Sequence, residues 1–176
     1  MSYTVYLSGE IHSSWRQEII DATRDLDIQF TAPVTDHPAS DAAGDFLGPV
    51  EPGFWRDQQS SGVNAIRTRH DIDRADLVVV RFGDKYKQWN AAFDAGYCAA
   101  KGIPYITLHD DDIVHPLKEV DQAAYAWCKT TEQVVQLLRY VLTQGLPFKK
   151  SLRVTGGPIS PPGHNSFTLN CLTVTL

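Results

Sequence analysis

Asp94 stands in "KQWNAAFDAGYCAAKG", residues 87–102, a stretch of helical character packed with small residues. Its neighbours at i±3 and i±4 are Asn90, Ala91, Tyr97 and Cys98, so neither Lys nor Arg is placed to pair with it along the helix. Ala91, Ala92, Ala95, Gly96, Ala99 and Ala100 would let such a helix lie close on a sheet. A carboxylate held there is partly desolvated, which raises its pKa unless donors compensate. It would then be aimed at a crevice, where a perturbed carboxylate can act as acid, base or nucleophile. The plainer alternative is a charge near a helix N-terminus capped by Asn90. The residues leave both open.

Other groups of chemical interest cluster at the ends of apolar runs. Gly9 closes the first run, with Glu10 and His12 just beyond it. A glycine at a strand-to-helix turn lets backbone approach a ligand, and the N–H groups of the next helix can bind an anion. The stretch is neither GxGxxG nor a P-loop, and turn geometry alone also accounts for the glycine. Glu10 and His12 read either as a solvated pair or as contacts to a sugar hydroxyl or phosphate. Gly83 and Asp84 close another run, and "KYKQW", 85–89, follows. There Tyr86 or Trp89 could stack on a base or close a lid, or serve packing or a dimer contact. "HDDDIVHP", 109–116, fits neither zinc nor EF-hand spacing and reads as an acidic loop at a strand end. No metal and no cofactor is expected.

These residues need elements to position them. "YTVYLS", 3–8, is a β-rich run, and Ser14 with Gln17 forms a capping-box pattern opening a helix over 14–26. A short strand is expected at 28–32. The segment 33–54, rich in Pro and Gly, reads as a long loop of the kind that is usually functional or disordered. A helix over 55–74 follows. "ADLVVVRF", 75–82, is the clearest strand, apolar on both faces as in a central parallel strand. The helix 90–101, a strand over 103–109, a third short strand at 124–129 and a helix over 131–143, opened by Thr130 and Gln133, complete the order β-α-β-α-β-α-β-β-α. Such alternation predicts a doubly wound parallel sheet of about five strands with helices on both faces. Ligands then belong at the carboxyl ends of the strands. Residues 1–144 form one α/β domain on this reading. Residues 145–176 are a tail in which "FTLNCLTVTL" could add one strand.

Whole-chain properties narrow the function classes. The 176 residues are 43% hydrophobic and 21% charged, with a net charge of −5 and no long basic run. This argues against a nucleic-acid polymer as partner. No stretch reaches the length of a membrane span, and "MSYTVYLSGE" lacks the basic and apolar regions of a secretory signal. Cys98, Cys128 and Cys171 are odd in number and far apart, which reads as buried reduced thiols. A cytoplasmic location is expected.

"TVYLSGEIHSSWR", "RTRHDIDRADLVVVRFGDKYKQWNAAFDAG" and "HPLKE" resemble the YtoQ family, which is itself similar to the nucleoside 2-deoxyribosyltransferase superfamily. The resemblance spans residues 3–143. It implies a flavodoxin-like sheet and a carboxylate nucleophile on the helix after the third strand. Deoxyribosyltransferases carry a glutamate within a D-x-G-T-x-x-E-x-G-like segment. Aligned on Gly96, the nucleophile position is Asp94, one methylene shorter. The glycine and threonine positions become Asn90 and Ala91, and the leading acid, which handles the base, falls on Gln88. Asp84, with Glu10 behind it, is then the candidate replacement acid, the alternative being that Asp84 simply caps a turn. Tyr6 would orient the nucleophile, with Gly9, His12, Gly83, Trp89 and Asn90 around the substrate. The implied activity is hydrolysis of an N-glycosidic bond, or 2-deoxyribosyl transfer, on a small-molecule nucleoside or nucleotide. The alternative is a nucleotide or sugar-nucleotide binding protein without turnover. Assembly as a homo-oligomer is implied as well.

Overall fold

The structure, a computed structural model, describes residues 2–84 and 88–143. The tail over 145–176, with its expected strand and Cys171, and Tyr86 lie outside the described residues. Five strands, β1 (Tyr3–Gly9), β2 (Ile28–Thr31), β3 (Leu77–Arg81), β4 (Tyr105–Leu108) and β5 (Ala126–Cys128), form one sheet in the order β2-β1-β3-β4-β5. Every pairing is parallel. The parallel sheet was anticipated from the alternation of strands and helices, and its order is the flavodoxin-like one that the family resemblance implies.

Six helices accompany them among the described residues: α1 (Trp15–Ala22), α2 (His37–Asp41), α3 (Phe54–Arg74), α4 (Trp89–Lys101), α5 (Val114–Ala123) and α6 (Thr131–Thr143). The period-2 alternation of a strand sends its side chains to two different cores. Val5, Leu7, Val79, Ile106 and Leu108 meet Trp15 and Ile19 of α1 and Val134 and Leu138 of α6. Tyr6, Val78, Val80 and Tyr105 meet Ile72 of α3, Ala91, Ala95 and Cys98 of α4 and Leu117 of α5. The central strands are therefore apolar on both faces because both faces are covered. Cys98 and Cys128 are buried free thiols. Burial pushes the Cys98 thiol up to about 12.

Several local expectations are corrected. The first helix is shorter, ending at Ala22, and the Ser14–Gln17 capping box does not form. Ser14 Oγ instead donates to Glu18, and Gln17 to Asp21. At α6 the Thr130 hydroxyl does accept from the Gln133 amide, at 3.3 Å. Asn90 does not cap α4: the helix begins one residue earlier, and Gln88 at its N-cap adopts a left-handed conformation with φ 49°. The segment 33–54 is not structureless. It contains α2 and a 3₁₀ turn, Asp45–Leu47, and is fastened to α3. Ser60 Oγ donates to the Asp41 carbonyl at 2.6 Å, and Asn64 Nδ2 to the Ser40 carbonyl at 3.0 Å. Finally, α5 intervenes where two strands in succession were expected. Adjacent parallel strands require a crossover, and α5 supplies it between β4 and β5.

β1 and β3 lie side by side, with Gly9 opposite Arg81. The chain leaves β1 toward β2 on one side and returns to β3 on the other. The connections diverge at this point and open a crevice over the carboxyl ends of the two strands.

Candidate active site

The floor of the crevice comes from β1 and α4. The alternation that sends Val5 and Leu7 to one face places Tyr6 and Ser8 on the other, beneath α4. Ser8 is fully buried, and its hydroxyl donates to Asp94 Oδ2 at 2.5 Å. Asp94 is the sixth residue of α4, past the first turn in which a helix dipole acts strongly. Burial raises its pKa above the ordinary carboxylate value, while the Ser8 hydrogen bond pulls the other way. Among the described residues no basic side chain contributes to holding its charge. Tyr6, also fully buried, reaches toward Thr68 of α3. Its hydroxyl forms no hydrogen bond of acceptable geometry with the described residues. Burial pushes the phenol well above its usual value, and the nearby Asp94 and Asp71 charges add to that.

The β1–α1 loop is fixed from behind. Arg16, buried, donates to the carbonyls of Leu7 and Gly9, each at 2.9 Å, and to that of Glu10. The Trp15 indole also donates to the Glu10 carbonyl, at 2.8 Å. Burial lowers the Arg16 pKa to about 10, although Glu10 nearby favours the charged form. Gly9 has φ 99°, and a Cβ there would meet the Arg81 carbonyl oxygen at 2.1 Å. Only glycine fits this close approach. The Glu10 carboxylate folds back to accept from the His12 amide and the Ser13 hydroxyl. A Cβ on Gly83 would meet Glu10 Cγ at 2.4 Å, so the glycine leaves the space that Glu10 occupies.

Above this floor lies a cleft of about 1160 Å³, ample for a nucleoside or nucleotide. Of the residues singled out in the sequence, Gly9, His12, Trp89, Asn90 and Asp94 line it. Tyr6 lies beneath it, while Glu10 is turned into its own loop and Asp84 is exposed, and neither lines it. Gly83 is half-buried beside Glu10. Gln88, at the position of the superfamily's leading acid, is on the lining. The structure adds residues that sequence reasoning passed over. Ser8 is one, and its signal was a lone polar residue in a buried strand. His37 and Asp41, on α2, are others, hidden in a segment read as loop. Arg67 and Arg69 of α3 also line the cleft.

Comparison with known proteins agrees with the sequence resemblance. The family described as nucleoside 2-deoxyribosyltransferase YtoQ is matched over residues 6–142. The uncharacterized protein YtoQ of Bacillus subtilis is 41% identical over 144 residues, covering 80% of this chain and 97% of that protein. Among solved structures, a conserved protein from Enterococcus faecalis superposes with a TM-score of 0.55 at 14% identity, covering 81% of this chain and 100% of the other. A 2-deoxyribosyltransferase from Bacillus psychrosaccharolyticus gives a TM-score of 0.48 at 16% identity, covering 75% and 90%. At 14% identity the likeness to the Enterococcus faecalis protein bears on the fold alone.

Proposed function

This chain belongs to the nucleoside 2-deoxyribosyltransferase YtoQ family, and we propose that its cleft cleaves or exchanges the N-glycosidic bond of a nucleoside or nucleotide, with Asp94 as nucleophile. The observation that carries this reading is the setting of Asp94. It is a carboxylate on the lining of the cleft, lifted by desolvation, steadied by one buried hydroxyl and neutralised by no cation among the described residues. Such a group carries a cost that packing alone does not explain. Asp94 Oδ attacks the anomeric carbon and the base departs with the bonding electrons. Water or a second base then releases the sugar, with net retention. Hydrolysis is favoured over transfer because Gln88 stands where the superfamily keeps its base-handling acid. The Ser8 hydroxyl orients Asp94, the role the sequence resemblance implied for Tyr6, while Tyr6 packs beneath α4 with Ala91 and Ala95 and its hydroxyl bonds to no described residue. Gly9, His12 and Asn90 surround the sugar or a phosphate, and the exposed indole of Trp89 offers a stacking surface for the base.

The test is release of free base from a panel of ribo- and deoxynucleosides and their 5′-phosphates, followed by chromatography, with Asp94→Asn alongside. Loss of at least about 1000-fold in the variant is expected for removal of a covalent nucleophile. Full activity in Asp94→Asn overturns the mechanism. A second reading, binding without turnover, is favoured by Gln88. A melting shift with a nucleotide and no product from any member of the panel would decide for it.

A further inference from the structure

We propose that His37 is the general acid of this cleft and that Asp41 positions it. The inference rests on the reading of Asp94 as nucleophile and supplies what that reading lacks. A departing base needs a proton. The Gln88 amide has none to give at neutral pH. Both oxygens of Glu10 already accept hydrogen bonds within its own loop, and Asp84 is exposed away from the lining. His37 and Asp41 line the cleft together with Asp94. The Asp36 carboxylate accepts from the Ala39 amide at 2.8 Å and so fixes the start of α2. Hydrogen bonds from Ser60 and Asn64 hold the helix on α3.

One turn along α2, Asp41 Oδ2 lies 3.6 Å from His37 Nδ1. At that distance the carboxylate is an ion-pair neighbour and not a hydrogen-bond partner, and its charge favours a proton on the nearer ring nitrogen while leaving the other for chemistry. Here that nitrogen is Nε2. His37 retains 64% of its side-chain exposure, so it can be reprotonated from solvent. Nearest to it are Asp41 and His12 of the β1–α1 loop, whose ring centroid is 6.2 Å away, and the other charged groups that share the cleft lining with it are Asp57, Arg67 and Arg69 of α3 and Asp94 of α4. In the first step the C1′–N bond breaks and its electron pair goes to the base nitrogen. That nitrogen takes the proton from His37 Nε2 as Asp94 Oδ bonds to C1′. In the second step neutral His37 takes a proton from water, whose oxygen bonds to C1′ as the Asp94 ester bond breaks.

The experiment compares leaving groups. Guanine nucleosides are paired with their 7-methyl derivatives, whose base departs without taking up a proton. Uracil nucleosides are paired with 5-fluorouracil nucleosides, whose base is the better leaving group. His37→Gln is expected to lower kcat about 100-fold on the unactivated member and by no more than about threefold on 7-methylguanine nucleosides. Asp41→Asn should show the same selectivity with about a tenfold loss, as a positioning residue. Melting temperatures identify any variant that has merely failed to fold, and His37→Asn, measured on the same pairs, then takes its place. Equal losses on both members of a pair overturn the proposal. So does weaker binding of phosphorylated substrates with kcat unchanged, which would make the histidine an anion subsite. If Asp94→Asn is inert while the His37 variants are indifferent, the nucleophile stands and the acid falls. If the wild-type protein releases no base at all, both fall.

Discussion

At the residue scale the question is what a half-buried aspartate does to the fold that holds it. Its pKa is raised from 3.8, so the folded chain holds the Asp94 proton more tightly than the unfolded chain. Between 3.8 and the raised value stability therefore falls as pH rises, and above it the full cost of the charge is present. Asp94→Asn removes that charge. The variant should melt above the wild type at neutral pH, and the difference should shrink as pH is lowered through this window, as followed by circular dichroism. Activity runs the other way. A nucleophile must be ionised, so the acid limb of kcat should lie above 3.8. Ser8→Ala removes the donor that opposes the shift. It should move the limb upward and lower kcat about tenfold, the effect of losing one hydrogen bond to a charged group. A limb that moves down in Ser8→Ala would refute this account. Asp94 was legible in the sequence because its helical neighbours offer no partner. Ser8 was not, because its role depends on which face of β1 meets α4, and Gln88 told only that an acid was missing.

At the scale of elements, the β1–α1 loop has the least latitude. Gly9 combines a positive φ with a backbone neighbour too close for any Cβ. The contact is with a main-chain carbonyl of β3, which cannot swing away as a side chain would. Gly9→Ala should cost about 3 kcal/mol. Arg16→Met keeps much of the packing on Trp15 but strips donors from three carbonyls. A loss of about 2–4 kcal/mol is expected, and urea denaturation measures both. A midpoint within experimental error of the wild type for Arg16→Met would show that water replaces the guanidinium. The strands were legible because long apolar runs such as Leu77–Val80 admit few other readings. The helices were legible where periodicity was long, as in α3 and α6. α2 was missed because one turn of helix carries too little period to register. α5 was missed because its approach, "HDDD", resembles a loop, although Pro116 near its start is compatible with a helix opening. Parallel pairing of β4 with β5 demanded a crossover there regardless.

For the molecule as a whole, the parallel sheet followed from alternation and its flavodoxin-like order from the family resemblance, but the surface followed from neither. Among the described residues no helix is long and apolar enough to cross a membrane. Even so, large apolar side chains gather on one exposed region. Phe46, Leu47 and Val50 stand beside the start of α3, where Phe54 and Trp55 meet edge to face at 5.0 Å. Trp55 is 57% exposed and Phe54 64%. A monomer gains nothing from holding such a group in water. Gln58 lines both the recess under Trp55 and the cleft above Asp94, so the two surfaces are continuous. The homo-oligomer implied by the superfamily resemblance is therefore proposed to form through this region. A second copy seated there would wall the mouth of the cleft, and its loss would affect substrate affinity before chemistry. Phe54→Ser with Trp55→Ser should shift sedimentation toward the 19.6 kDa monomer. KM should rise more than kcat falls, since the floor of Ser8 and Asp94 lies on separate elements. If the wild-type chain already sediments as a monomer at micromolar concentration, the exposed aromatics belong to substrate capture. The double variant would then raise KM with no change in mass.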